Sequence, residues 1–256
     1  MQRRDFIGLL AAGAVATSAP LRAAPGRSAV HRPYKAVAFD AFPIFDPRPI
    51  SVLAEKLFPG KGAELSNLWR TRQFEYQWLR TLTGHFADFW KTTQDALVFA
   101  ARLSRLDLTA SARDQLMNAY LELRPWPEAP DILRTLQRAG LRLVFLSNMT
   151  KSMLDRSIAN GGLEGIFEFV LSSDVAHAHK PDPRAYRMAP EALKLSPDEI
   201  VFAAFAGWDA AGAKSFGFPT FWVNRLQLPS EELGITPDAE GADLNDLLNF
   251  VTRGNA

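Results

Sequence analysis

The chain contains no cysteine, which excludes a disulfide framework, thiolate metal sites, iron–sulfur clusters and a cysteine nucleophile. It also has almost no net charge, with 29 Lys and Arg against 28 Asp and Glu. That balance gives no electrostatic reason to expect nucleic acid or an anionic membrane surface as a partner. Long apolar runs are equally scarce: the run from Phe6 to Val15, broken only by Gly8 and Gly13, is shorter than the roughly 20 residues that a membrane-spanning helix needs. What remains is a chain of 256 residues, 47% hydrophobic and 11% aromatic, able to bury a full core as one domain or one domain with an insertion. Its chemistry must run on oxygen and nitrogen groups.

The first segment differs in composition from everything after it. Arg3-Arg4 precede the short apolar run, and Ala-rich sequence follows to Ala24. That layout reads as an export signal, and the paired arginines followed by Asp5-Phe6-Ile7 resemble a twin-arginine leader. The expectation is a leader over 1–23, cleavage after Ala23, a periplasmic mature chain, and no membrane association after processing.

Beyond the leader, short β-branched or aromatic runs alternate with helical patterns, the signature of a parallel sheet covered by helices. Strands are expected over Ala36 to Phe42, Leu141 to Leu146, Phe167 to Leu171, Ile200 to Phe205 and Thr220 to Val223. Between the first two lies a stretch without strand pattern, in which Pro49 to Leu57, Ala63 to Leu82, Phe86 to Leu103 and Ala110 to Leu123 read as helices. The fold expected is α/β, with a Rossmann-like parallel sheet core over 24–46 and 125–256 and an inserted helical cap over 47–124. The second cap helix carries two apolar stripes, one of Leu65, Leu68, Trp69, Tyr76 and Leu79, the other of Phe74, Trp78 and Leu82. Arg70, four residues before Phe74, shares the second stripe.

Each strand ends in a polar or small cluster, and open α/β sheets bind ligands at the carboxyl ends of their strands. Asp40 lies within an otherwise apolar strand and needs a partner, and Lys180 could offset its desolvation. Ser147-Asn148 end the second strand and Trp208-Asp209 the fourth. His177 and His179 form a His-x-His pair, but no third ligand is visible and alternate residues beside a loop more often face solvent.

An apolar strand ending in Asp40, a strand ending in Ser147-Asn148, then Lys180-Pro181-Asp182, then a strand ending in Gly207-Trp208-Asp209 resembles the haloacid dehalogenase superfamily. Within it, Trp69 to Arg80 is similar to the cap helix of the L-2-haloacid dehalogenases and Gly207 to Arg225 to their C-terminal signature. The resemblance implies hydrolysis of small 2-haloacids through a covalent ester on Asp40, with no cofactor and no metal. Asp40 would be the nucleophile, Arg70 would receive the halide, and Lys180 would orient and charge-balance Asp40. Asp209 would position Lys180 or the hydrolytic water. Ser147 and Asn148 would hold the substrate carboxylate, Tyr186 matches a family tyrosine in the substrate site, and Phe42, Phe74 and Trp208 would wall off bulk water. A homodimer is expected on the resemblance alone.

Phe42 separates this chain from the superfamily's phosphatases, which carry a second Asp there; Asp209 is also the only carboxylate between Ile200 and Gly217. Such a set is a poor octahedral oxygen site for magnesium. Two departures touch the dehalogenases themselves. The segment after Asp40 is shorter and brings no hydroxyl, and Ala204 and Ala206 stand where better-known members have Ser and Asn. Those losses leave open a second class of function, a non-catalytic relative that binds a small carboxylate.

Overall fold

The computed structural model describes residues 34–253, and the expected leader lies outside them. Runs of β-branched and aromatic residues form strands where they are buried on both faces. These are β1 (Ala36–Phe39), β2 (Arg142–Ser147), β3 (Phe169–Ser172), β4 (Ile200–Ala204), β5 (Thr220–Val223) and a short β6 (Ala239–Gly241). They join in one parallel sheet, in the order β3-β2-β1-β4-β5-β6. The chain leaves β1 first toward β2 and β3 and later returns to its other side with β4, so β1 and β4 flank the topological switch point.

Side chains alternate across a strand, and this divides the core in two. Val37, Phe39, Leu143 and Phe145 pack with α5 (Ala129–Arg138), α6 (Lys151–Gly161) and α9 (Leu244–Arg253). Ala36, Ala38, Val144 and Leu146 pack with α7 (Pro183–Leu193) and α8 (Gly207–Phe216). Between β1 and α5 come the helices of the cap: α1 (Arg48–Leu57), α2 (Gly62–Thr83), α3 (Phe89–Leu103) and α4 (Ala110–Ala119). Gly62 is required where α2 passes α1, because a Cβ there would stand 2.2 Å from the Glu55 backbone. Among the described residues no helix is long and apolar enough to cross a membrane.

The structure shortens several expected elements. β1 stops at Phe39, not Phe42, because the chain turns at Ala41, whose carbonyl accepts the Ile44 and Phe45 N–H groups at 3.1 and 2.9 Å. Helix α3 starts at Phe89 because the Asp88 side chain caps it, accepting the Lys91 N–H at 2.7 Å. On α2 the buried stripe runs Leu65, Trp69, Gln73, Gln77, four residues apart, whereas Leu79 and Leu82 are exposed. Two glutamines thus occupy places where an apolar stripe was expected to continue.

Candidate active site

Asp40 follows the last residue of β1, and its backbone N–H is still held by the Ala203 carbonyl at 3.1 Å. The next residues are pinned from outside. Trp126 donates its indole N–H to the Phe42 carbonyl at 3.0 Å and its backbone N–H to that of Ile44 at 2.8 Å. Arg225 donates to the Pro43 carbonyl at 2.8 Å while stacking on the Trp126 ring at 4.3 Å. The carboxylate therefore sits on a fixed support at the switch point, only 8% exposed.

Lys180 reaches it from beyond β3. Its Nζ lies 3.0 Å from Asp40 Oδ1 and 2.5 Å from Asp209 Oδ2, so one buried ammonium bridges two carboxylates. Burial alone would lower the lysine's pKa, but the charges of Asp209 and Asp40 outweigh it and hold the ammonium above its usual value. Asp209, in the first turn of α8, is pushed up to about 6 by burial, which exceeds the opposing pull of Lys180. Tyr186 on α7 donates its hydroxyl to Asp209 Oδ1 at 2.7 Å, and burial followed by the Asp209 charge raises the phenol well above its ordinary range. That approach depends on Gly212, where a Cβ would stand 2.5 Å from the tyrosine hydroxyl.

The two oxygens of Asp40 are not equivalent. Oδ1 accepts from Lys180 Nζ and, at 3.1 Å, from Ser147 Oγ. Oδ2 receives only a long contact of 3.4 Å from the Phe42 N–H. A carboxylate charge-balanced on one oxygen and free on the other is arranged to act as a nucleophile through the free one.

Above this centre a cavity of about 490 Å³ opens between cap and core. Its wall includes Phe42, Phe74, Trp78 and Trp208, with the Phe74 and Trp208 rings 5.2 Å apart and those of Trp78 and Trp208 5.5 Å apart. Arg70 lines the same cavity on an exposed part of α2, and among the described residues it has no ion-pair partner. Ser147 and Asn148 line it too, but both are engaged within the protein. Asn148 Oδ1 accepts the Lys180 N–H at 2.8 Å, and its Nδ2 donates to Gln77 Oε1 at 2.7 Å. Tyr186 is fully buried behind Asp209 and is not part of the cavity wall, so it meets a bound molecule only through Asp209.

The structure brings Asp40, Lys180, Asp209, Ser147 and Asn148 together at one centre, and sequence reasoning misses Gln77, Gln73 and Trp78 on the cavity lining. The signal for the glutamines was their position at i+4 and i+8 from Trp69; Gln73 donates to Thr93 Oγ1 at 2.5 Å and Trp69 to the Thr93 carbonyl at 2.8 Å. The solvent-facing reading of the histidine pair holds for His177 alone. His179 is buried, its Nε2 donating to the Ala87 carbonyl at 2.9 Å and its Nδ1 3.3 Å from Ser173 Oγ. Magnesium does not fit the carboxylates at the centre, because the Lys180 ammonium already lies between them and an apolar ring stands at Phe42. Among the described residues no three His, Asp or Glu side chains gather as a metal site.

The family model described as haloacid dehalogenase-like hydrolase matches residues 20–217. The (S)-2-haloacid dehalogenase of Pseudomonas sp. strain YL is 44% identical over 217 residues, covering 84% of this chain and 94% of that protein. A crystal structure of an L-2-haloacid dehalogenase superposes with a TM-score of 0.85 at 42% identity, covering 86% of this chain and all of the other. That of the Xanthobacter autotrophicus L-2-haloacid dehalogenase with chloropropionic acid covalently bound has a TM-score of 0.79 at 33% identity, covering 87% of this chain.

Proposed function

The chain belongs to the haloacid dehalogenase-like hydrolases, in their L-2-haloacid dehalogenase branch, and from that premise we propose that it hydrolyses small 2-haloalkanoic acids to 2-hydroxy acids and halide. The observation that carries the reading is the asymmetry of Asp40, one oxygen bound to Lys180 and Ser147 and the other free at the cavity. Oδ2 attacks C2 of the substrate, the carbon–halogen bond breaks, and the halide leaves toward Arg70. In the resulting ester Oδ1 is the carbonyl oxygen, and it already faces the Lys180 ammonium and the Ser147 hydroxyl. Water then adds to the Asp40 carboxyl carbon, the charge that develops on Oδ1 falls on those two donors, and the bond from that carbon to Oδ2 breaks. The 2-hydroxy acid departs with the aspartate's former oxygen, and one proton goes to solvent. Relatives named for (S)-2-haloacids support that enantiomer as the substrate.

Halide release from a panel of 2-haloacids tests the reading. Turnover is expected with the wild type, in the presence or absence of EDTA, and none with Asp40→Asn, whose amide is a very weak nucleophile. A single turnover in ¹⁸O-water is expected to leave the label in Asp40 and not in the product; label in the product alone would mean that water attacks C2 directly.

We propose further that residues 1–23 direct export to the periplasm by the twin-arginine route and that the mature protein is a homodimer. Arg3-Arg4 and the short apolar run support the first, and family resemblance supports the second. Retention in the cytoplasm after changing Arg3 and Arg4 to Lys, and the mass of the purified protein by light scattering, are the respective checks.

A further inference from the structure

The residues expected to hold the substrate carboxylate are engaged elsewhere. The Ser147 hydroxyl donates to Asp40 Oδ1, and Asn148 donates to Gln77 Oε1 at 2.7 Å and, at 3.5 Å, to the Lys180 carbonyl. A substrate anion in this cavity needs other donors. Gln77 supplies one. It is 0% exposed, lines the cavity, and its Nε2 is buried without a hydrogen-bond partner among the described residues.

The orientation of this amide follows from a backbone group whose direction is not in question. The Lys180 N–H fixes Oδ1 of Asn148 as an acceptor, so the other side of the Asn148 amide, Nδ2, faces Gln77. Gln77 must present its oxygen to that donor, which leaves its NH₂ as the free end. A buried unpaired donor is costly to a folded protein, and a cavity wall is where a ligand can relieve the cost. The indole N–H groups of Trp78 and Trp208, on the same wall, are also buried and unpartnered. The Ser66 hydroxyl and Glu75 Oε2 on the same lining also lack a hydrogen bond, but the Glu75 oxygen is ion-paired with Arg72 at 2.6 Å, so the unbalanced surplus is of donors, and it matches an anion.

We propose that Gln77 Nε2 is a recognition donor for the carboxylate of the 2-haloacid, delivered to the core site from cap helix α2. This rests on the functional reading above. The same side chain, through its oxygen, holds Asn148 and with it the backbone of Lys180, so carboxylate binding and placement of the bridging lysine share one residue.

Gln77→Glu separates the two roles. It keeps an oxygen for Asn148 and replaces the free amide by a group that repels a carboxylate. With 2-chloropropionate the KM is expected to rise about 10- to 100-fold at pH 8, with kcat within about threefold of wild type, the pattern of a lost binding contact. The Kd of propionate, read from the fluorescence of Trp78 and Trp208, is expected to rise by the same factor. A fall in kcat with KM and propionate binding unchanged would overturn the proposal, since Gln77 would then act only through Asn148. Gln77→Met, of similar size and without a donor, is the second variant should Gln77→Glu fail to fold; unaltered propionate affinity in that folded variant also overturns it. If the wild type releases no halide, the reaction assignment fails, whereas the propionate measurement still decides the role of Gln77.

Discussion

A buried aspartate that holds a lysine can do so only while it is ionised, and Asp209 is pushed up to about 6 by its burial. Protonation removes one of the two charges that hold the Lys180 ammonium, the one 2.5 Å away, and leaves Asp40 alone to position it. The acid limb of kcat/KM is therefore expected near pH 6, well above the range of a solvated carboxylate, which is about 4. Asp209→Asn is expected to lower kcat by about 10² or more and to abolish that limb. A pH–rate profile of the variant with the limb unchanged would place the titrating group elsewhere. Asp40 and Asp209 were legible as strand-end residues and Lys180 as a cation beyond the third strand, because ligands collect at the carboxyl ends of a parallel sheet, whereas Tyr186, on α7, was implied by the family resemblance alone. The substrate role implied for Tyr186 was not borne by its position, since its hydrogen bond to Asp209 keeps it one residue behind the cavity.

At the scale of elements, the segment after β1 and the start of α8 carry the departures from the family pattern. Ala206 precedes α8 without a side-chain cap, and Ala204 is buried at the end of β4. Neither side chain can hold a water. The two donors on Asp40 Oδ1 serve the ester carbonyl, but both Asp209 oxygens are already bound, to Lys180 and Tyr186. Alkylation of Asp40 needs only the free oxygen and a receptor for the halide, whereas hydrolysis also needs a placed water. Losing one polar contact of that kind slows a step by about 10² to 10³. Rapid mixing is expected to show a halide burst near one equivalent followed by a slower steady rate, with a mass adduct on Asp40 in quenched protein. Turnover with neither would mean that the alanines are fully compensated.

Helix and strand identities were readable where apolar residues recur with one period, as in β2 and β4 or along Leu65 and Trp69. They failed where polarity and burial part company. Gln73 and Gln77 look like surface residues until Thr93 and Asn148 are brought opposite them by the fold, and β6, Ala-Glu-Gly, has no β-branched residue to announce it.

For the molecule as a whole, cap and core meet through a few polar ties. Besides Gln77 and Asn148, the His179 backbone N–H donates to Thr81 Oγ1 at 3.0 Å and its ring donates to the Ala87 carbonyl. Burial holds this imidazole at about 4, below its ordinary 6.5, so it folds neutral. A depressed basic group contributes stability that is fully present above the unfolded pKa and lost as pH falls toward the folded one. Between pH 6.5 and about 4 the unfolded chain takes up a proton that the folded chain refuses, costing up to about 3 kcal/mol. Urea midpoints are expected to fall across that window in the wild type and to fall less in His179→Gln. Equal slopes in the two proteins would assign the acid sensitivity to other groups.

Asp40 is nearly buried at the inner end of the cavity, yet Arg70 on the same cavity is open to water. With Arg70 as the halide receptor proposed above, inward and outward traffic would take different courses: the acid would settle against the closed end, while the ion it sheds would pass to a side chain already in contact with the medium. On that reading the ion would depart without motion of the cap. The same openness runs in reverse, because halide dissolved outside can reach Arg70 as readily as halide formed inside. Saline surroundings would thus slow the reaction by occupancy of the exit, and added bromide is expected to inhibit more than an equal ionic strength of sulfate. Equal inhibition by the two salts would leave only general screening of the guanidinium.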